Sequence, residues 1–210
     1  MANIASVLLE VADVTAADRF YTTAFGLGEQ LALRASDEPT TGFRGFIMAL
    51  TVSQPADVDH LIAAARDAGA TTLKPAAKSL WGYGGVVQAP DGTIWKIATS
   101  AKKNTGPATG RVDETVLLLG VADVVASKRF YAEHGLTVGK SFGRVYAEFA
   151  SGPGEVKLAL YRRRALAKDV GVDPDGSGSR RLAITGTGPR AAFTDPDGFA
   201  WESAVPAVGR

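Results

Sequence analysis

Val11-Ala-Asp-Val-Thr-Ala-Ala-Asp-Arg-Phe-Tyr21 returns 110 residues later as Val121-Ala-Asp-Val-Val-Ala-Ser-Lys-Arg-Phe-Tyr131, with eight of the eleven positions identical. A second pair follows in the same order. Pro90-Asp-Gly-Thr-Ile-Trp-Lys-Ile-Ala98 and Pro196-Asp-Gly-Phe-Ala-Trp-Glu-Ser-Ala204 share Pro, Asp, Gly, Trp and Ala. Two landmarks recurring in order identify the chain as a duplication, and a repeat of this kind governs the fold before any local reading does. Between the halves, Ser100-Ala-Lys-Lys-Asn-Thr-Gly-Pro-Ala-Thr-Gly-Arg111 is small, polar and turn-forming, the composition of a linker. The expected division is residues 1–100, a linker at 101–112, and residues 113–210.

Working outward from the repeats, Ile4 to Val11 and Thr115 to Val121 are apolar runs of strand length, each followed by Asp and then a helical pattern. Ala16, Phe20, Ala24 and Leu27 fall on one helical face; Ala126, Phe130 and a stop at Gly135 repeat the scheme. A further helix is signalled by Pro55, by Val58, Leu61, Ile62 and Ala65 at helical spacing, and by Gly69. Asp91-Gly92 and Asp197-Gly198, between apolar stretches, read as hairpin turns. Helices followed by hairpins give an α+β protein. Phe20, Tyr21, Phe130 and Tyr131 read as anchors of each helix on its sheet. Trp95 and Trp201 alternate with Lys96 and Glu202, so they read as the helix-facing residues of their strands.

The 210 residues carry a net charge of +1, no cysteine and two histidines. Without a concentrated basic face, nucleic acid is not an expected partner. Without cysteine there is no disulfide, thiolate metal site or cysteine nucleophile. No apolar run reaches the ~18 residues of a membrane span, and the start lacks the pattern of a secretion signal, so a cytoplasmic protein without a membrane partner is the expectation.

Strand, Val-Ala-Asp, a helix bearing Arg-Phe-Tyr, and a closing Pro-Asp-Gly-x-x-Trp hairpin, present twice, resemble the vicinal oxygen chelate superfamily of glyoxalase, bleomycin-resistance and extradiol-dioxygenase proteins. The resemblance covers nearly the whole chain. It implies tandem domains of paired βαβββ modules around a cleft that holds a metal or a small molecule. It also implies metal ligands, commonly His on an opening strand and Glu on a closing strand. The matching positions here are Ser6 and Val116 for the first, Lys96 and Glu202 for the second, and Leu50 on the mid-domain strand. Only Glu202 keeps a ligand side chain. His60 reads as a solvated helix residue and His134 as a helix-end residue favoured by the macrodipole. The expectation is therefore no metal and no cofactor.

Each half looks truncated in a different place. Arg34 to Gly42 is too short for the usual two extra strands of the first module, and Thr185 to Phe193 leaves no room for the helix that Val58 to Ala68 supplies in the other half. The intact modules, one from each half, are expected to wall a single cleft. Phe46, Met48, Trp81, Tyr83, Tyr146 and Tyr161 are candidate lining residues for a flat organic ligand, with Glu148 and Glu202 as inward carboxylates. For Phe46 and Met48, core packing is as good a reading as ligand contact. Trp81-Gly-Tyr-Gly-Gly85 reads as a mobile, closely approachable loop. Tyr161-Arg-Arg-Arg164 to Arg181 reads as a solvated basic loop, with a lid for an anionic ligand as the alternative. The resulting functional expectation is a metal-independent binding protein for an aromatic or drug-like compound, as the bleomycin-resistance branch implies, with antibiotic resistance its corollary. Two alternatives stand beside it. One is a glyoxalase-like lyase or isomerase, or another metal-independent enzyme, using Glu148 or Glu202; the other is a structural or partner-binding domain. Homodimerisation is left open.

Overall fold

The computed structural model describes residues 3–187 and 192–204. The N-terminal half runs β1 (Ile4–Val11), α1 (Val14–Ala24), β2 (Leu31–Ala35), β3 (Thr40–Gly42), β4 (Phe46–Thr51), α2 (Pro55–Asp67), β5 (Thr71–Ser79), β6 (Gly82–Gln88) and β7 (Ile94–Thr99). The C-terminal half runs β8 (Glu114–Val121), α3 (Val124–Glu133), β9 (Val138–Phe142), β10 (Tyr146–Phe149), β11 (Lys157–Arg162), α4 (Arg163–Val170), β12 (Gly176–Gly178), β13 (Leu182–Gly186), β14 (Phe193–Thr194) and β15 (Ala200–Ser203). The Asp of each Val-Ala-Asp repeat caps the following helix: Asp13 accepts from the Ala16 amide, and Asp123 from those of Val125 and Ala126.

Among the described residues four parallel strand pairs organise the fold, namely β1 with β2, β4 with β7, β8 with β11, and β13 with β15. In two of them the connection is complete, a helix and a hairpin standing between the paired strands. These two modules join antiparallel at β4 and β8, giving an eight-stranded sheet of order β5-β6-β7-β4-β8-β11-β10-β9. The shortened modules join in the same way, β1 against β13, giving the sheet β14-β15-β13-β1-β2. Both sheets therefore draw strands from both halves. The truncation at residues 34–45 does not abolish β3; it expels the strand from its sheet to pair with β12 in a separate two-stranded ribbon. In the C-terminal half the position of the missing helix includes Arg190 and Ala191, which lie outside the described residues.

One core lies between the two sheets. It takes Val7, Leu9 and Val11 from β1, Ile184 and Trp201 from the small sheet, Met48, Leu50, Trp95, Leu117 and Leu119 from the large one, and the apolar faces of α1, α2 and α3. In each half a tyrosine hydroxyl of the first motif binds the closing hairpin, at an aspartate within the second motif in the N-terminal half and at the aspartate just before it in the C-terminal half. Tyr21 donates to Asp91 (2.9 Å) and Tyr131 to Asp195 (2.6 Å), while Trp95 and Trp201 pack 5.4 and 5.6 Å from those rings. The aromatic residues of both motifs are packing residues, as their spacing indicates. His134 stacks on Phe130 at 4.1 Å. No helix among the described residues is long and apolar enough to cross a membrane.

Candidate functional site

Helices α2 and α3 cover one face of the eight-stranded sheet. On the other face, four residues stand in register across the four central strands: Lys96 on β7, Ala49 on β4, Val116 on β8 and Lys157 on β11. Val116 and Lys96 are two of the positions at which the family resemblance implies metal ligands. Strand register corrects the third. Leu50 points into the helix-side core, and Ala49 is the residue that faces outward beside them. A divalent ion requires oxygen or neutral nitrogen donors; a methyl, an isopropyl group and an ammonium supply none, so these residues do not fit a metal. The surviving carboxylate, Glu202, stands on the other sheet and accepts from Arg34 at 2.9 and 3.1 Å, with Glu10 on the same guanidinium. Among the described residues no three His, Cys, Asp or Glu side chains gather into a group able to hold a metal ion.

The basic stretch after β11 is not a solvated loop. Its first part is α4, whose Leu166, Ala167 and Val170 are buried against Ile47, Val86 and Ile94, forming a second, smaller core on the outward face. The hydrophobic alternation of the stretch is helical, but the run of arginines at its start conceals it. Arg163 reaches back to the carbonyls of Phe43 (2.6 Å) and Pro174 (3.0 Å), and Lys74 reaches from β5 to those of Lys168 (3.0 Å) and Asp169 (2.5 Å). Lys96 pairs with Asp169 at 2.5 Å. Helix α4 thus covers one end of this face, and two depressions remain open. The first, about 330 Å³, lies over β5, β6 and β7, with Lys74, Lys96, Ala98, Gly84 and Asp169 among its walls and Trp81 at its rim. The second, about 510 Å³, lies toward β8–β11 and includes Glu114, Glu148, Lys140 and Lys157.

The eight candidate residues are not brought together. Phe46 and Met48 are buried in the helix-side core and do not line the outward face. Trp81 is 87% exposed at the tip of the β5–β6 hairpin, next to Leu80 at 88%. Tyr83 turns the other way and donates to Asp59 on α2 at 2.8 Å, a bond that, ahead of burial, raises its pKa. Tyr146, Glu148 and Tyr161 share the outward face of β10 and β11: Tyr146 donates to Glu148 at 2.7 Å, and its ring centroid lies 5.9 Å from that of Tyr161. Burial first, and then the Glu148 bond, raise the Tyr146 pKa, so its phenol stays protonated. Glu202 is on the smaller sheet.

Trp81-Gly-Tyr-Gly-Gly85 is likewise corrected from a mobile loop to a hairpin tip running into β6. Its glycines permit close approach. A Cβ on Gly82 would collide with the Thr99 carbonyl, one on Gly84 would lie 2.8 Å from the Ile97 carbonyl, and one on Gly85 would lie 2.6 Å from Ile62 Cδ1. Gly84 and Ala98 leave the outward surface nearly bare, which makes a flat floor beside Trp81. Lys74 and Asp169 are members of this site that the sequence did not signal, because their meeting depends on the docking of α4.

No family model and no curated protein matches the chain. Solved structures do. A variant of glyoxalase I from Zea mays superposes with a TM-score of 0.58 at 14% identity, covering 95% of this chain and 91% of that one. Glyoxalase I from Zea mays gives 0.54 at 14% identity over 89% and 75%. A glyoxalase/bleomycin resistance protein/dioxygenase family enzyme from Burkholderia phytofirmans gives 0.44 at 20% identity, covering 47% of this chain and 99% of that one. Taken with the four parallel strand pairs and the antiparallel seam between modules, the likeness to glyoxalase I over nearly the full length establishes that this chain has the vicinal oxygen chelate fold.

Proposed function

We propose that the protein binds a small aromatic compound without a metal ion, on the outward face of the eight-stranded sheet beside Trp81. The observation that carries this reading is the row Lys96, Ala49, Val116 and Lys157, which leaves the centre of the face without a metal-ligating side chain. An exposed indole at the rim of a glycine-lined depression supports a planar ligand. Titration with planar aromatic compounds is expected to quench tryptophan emission, with the ligand released unchanged. Stacking of about 1–3 kcal/mol makes Trp81→Ala weaken binding by roughly one to two orders of magnitude, with little loss of stability from so exposed a side chain. Unchanged affinity in that variant overturns the site. Elemental analysis after mild chelation is expected to find no stoichiometric divalent ion.

One observation favours a second reading, the Tyr146–Glu148 pair, whose carboxylate side chain is 16% exposed at the edge of the neighbouring depression. Such a carboxylate is placed to accept a proton. Time-dependent conversion of a ligand, lost in Glu148→Gln with binding retained, would make the protein an enzyme.

A further inference from the structure

We infer that the ligand held beside Trp81 is an organic anion, a planar aromatic carboxylate or its equivalent; this rests on the binding reading above and specifies the chemistry of the same site. Three lysines, Lys74, Lys78 and Lys96, and one aspartate, Asp169, line the depression over β5–β7; Lys96 meets the Asp169 carboxylate and Lys74 its backbone carbonyl. Each ammonium has three donors. Lys96 spends one on Asp169, and Lys74 spends two on the carbonyls of Lys168 and Asp169. Lys74 and Lys96 have three N–H groups left over, and three lysines against one aspartate leave two units of positive charge, at the edge of a glycine-lined floor. Both cations are fixed in place, Lys96 by its ion pair and Lys74 by the carbonyls at the end of α4, so neither has to be ordered when an anion arrives. A ring lying over Gly84 and Ala98, against the indole of Trp81, brings a carboxylate substituent to this pair. A neutral ring gains the stacking and leaves the donors unused; a cationic ring is repelled.

The test uses the full chain with 2-naphthoate and its neutral isostere 2-naphthamide, read by tryptophan fluorescence and calorimetry. Naphthoate is expected to bind about tenfold more tightly at low ionic strength, as for a hydrogen bond to a charged group. Added salt should shrink that advantage. Lys96→Met should abolish the preference while naphthamide binding persists. Asp169→Asn, which removes the competing carboxylate, should enlarge the preference several-fold. Should Lys96→Met fail to fold, Asp169→Asn decides alone, and an unchanged ratio overturns the inference. Equal affinity for the two probes, with Trp81→Ala weakening both, removes the anion preference and keeps the aromatic site. Binding of neither probe removes both.

Discussion

Tyr131 and Tyr21 occupy equivalent places in the repeat, yet their hydroxyls carry unequal loads. Burial, and then the nearby carboxylate, raise both pKa values well above that of a free phenol, so each remains a donor. Tyr131 donates to Asp195 and also accepts from Trp201 Nε1 at 3.3 Å. Its removal in Tyr131→Phe leaves a buried carboxylate oxygen and an indole N–H unpaired, a loss of about 1–3 kcal/mol. The oxygen of Asp91 that Tyr21 meets keeps the Thr93 hydroxyl at 2.9 Å. Tyr21→Phe should therefore lose less, and chemical denaturation of the two variants gives the order. These tyrosines were legible in sequence because a helix and a hairpin recurred together. The outward-facing site was legible only in part: Trp81, Lys96 and Val116 were marked by sequence, but Leu50 and Ala49 are adjacent, and one step along a strand changes the face.

At the scale of elements, the connection between the halves is clasped to the start of α2. Gln54 accepts from the Thr105 and Gly106 amides at 2.8 and 3.1 Å, and Asp57 from the Thr109 and Gly110 amides at 2.6 and 3.1 Å. Asp57 is 1% exposed. Burial works against its charge, but the hydrogen bonds from Thr109 and Gly110 prevail and hold its pKa below the ordinary carboxylate value. A depressed acid pKa stabilises the fold above the unfolded-state pKa of about 3.9, and that contribution is lost as pH falls through the folded value. Asp57→Ala should cost about 1–3 kcal/mol at neutral pH, and urea midpoints should show the gap to the parent closing on acidification below about pH 4. Composition marked residues 101–112 as a linker; nothing in that composition signalled the clasp, since its acceptors lie some fifty residues earlier. Helix α4 was hidden for a different reason: its eight residues include two arginines, a lysine and an aspartate, and only the three buried positions reveal the apolar stripe.

For the whole molecule, the repeat was readable from spacing, and the unequal truncations and the pairing of the intact modules from the departures of each half from the family pattern that the sequence resembles. The destination of the shortened pieces was not, because strand order across a duplication depends on long-range partners. We propose residues 1–100 and 113–210 as the units of the duplication, but each sheet is shared between them. Expressed separately, each half should lack cooperative unfolding; co-expressed, the two should reassemble with the circular dichroism of the parent. Independent folding of either half would contradict the shared-sheet account.

The seam between β4 and β8 and the one between β1 and β13 also set a schedule on the ribosome. Among the described strands β1 emerges before the others, yet its partner β13 begins at Leu182. At roughly 5–20 residues per second, the first strand waits on the order of ten to forty seconds for the segment that completes it. During that interval an apolar strand edge is available to other nascent chains. The connection 101–112 shortens the search between the halves by keeping them on one polypeptide, so the chain's greatest exposure to aggregation falls during its synthesis rather than after it.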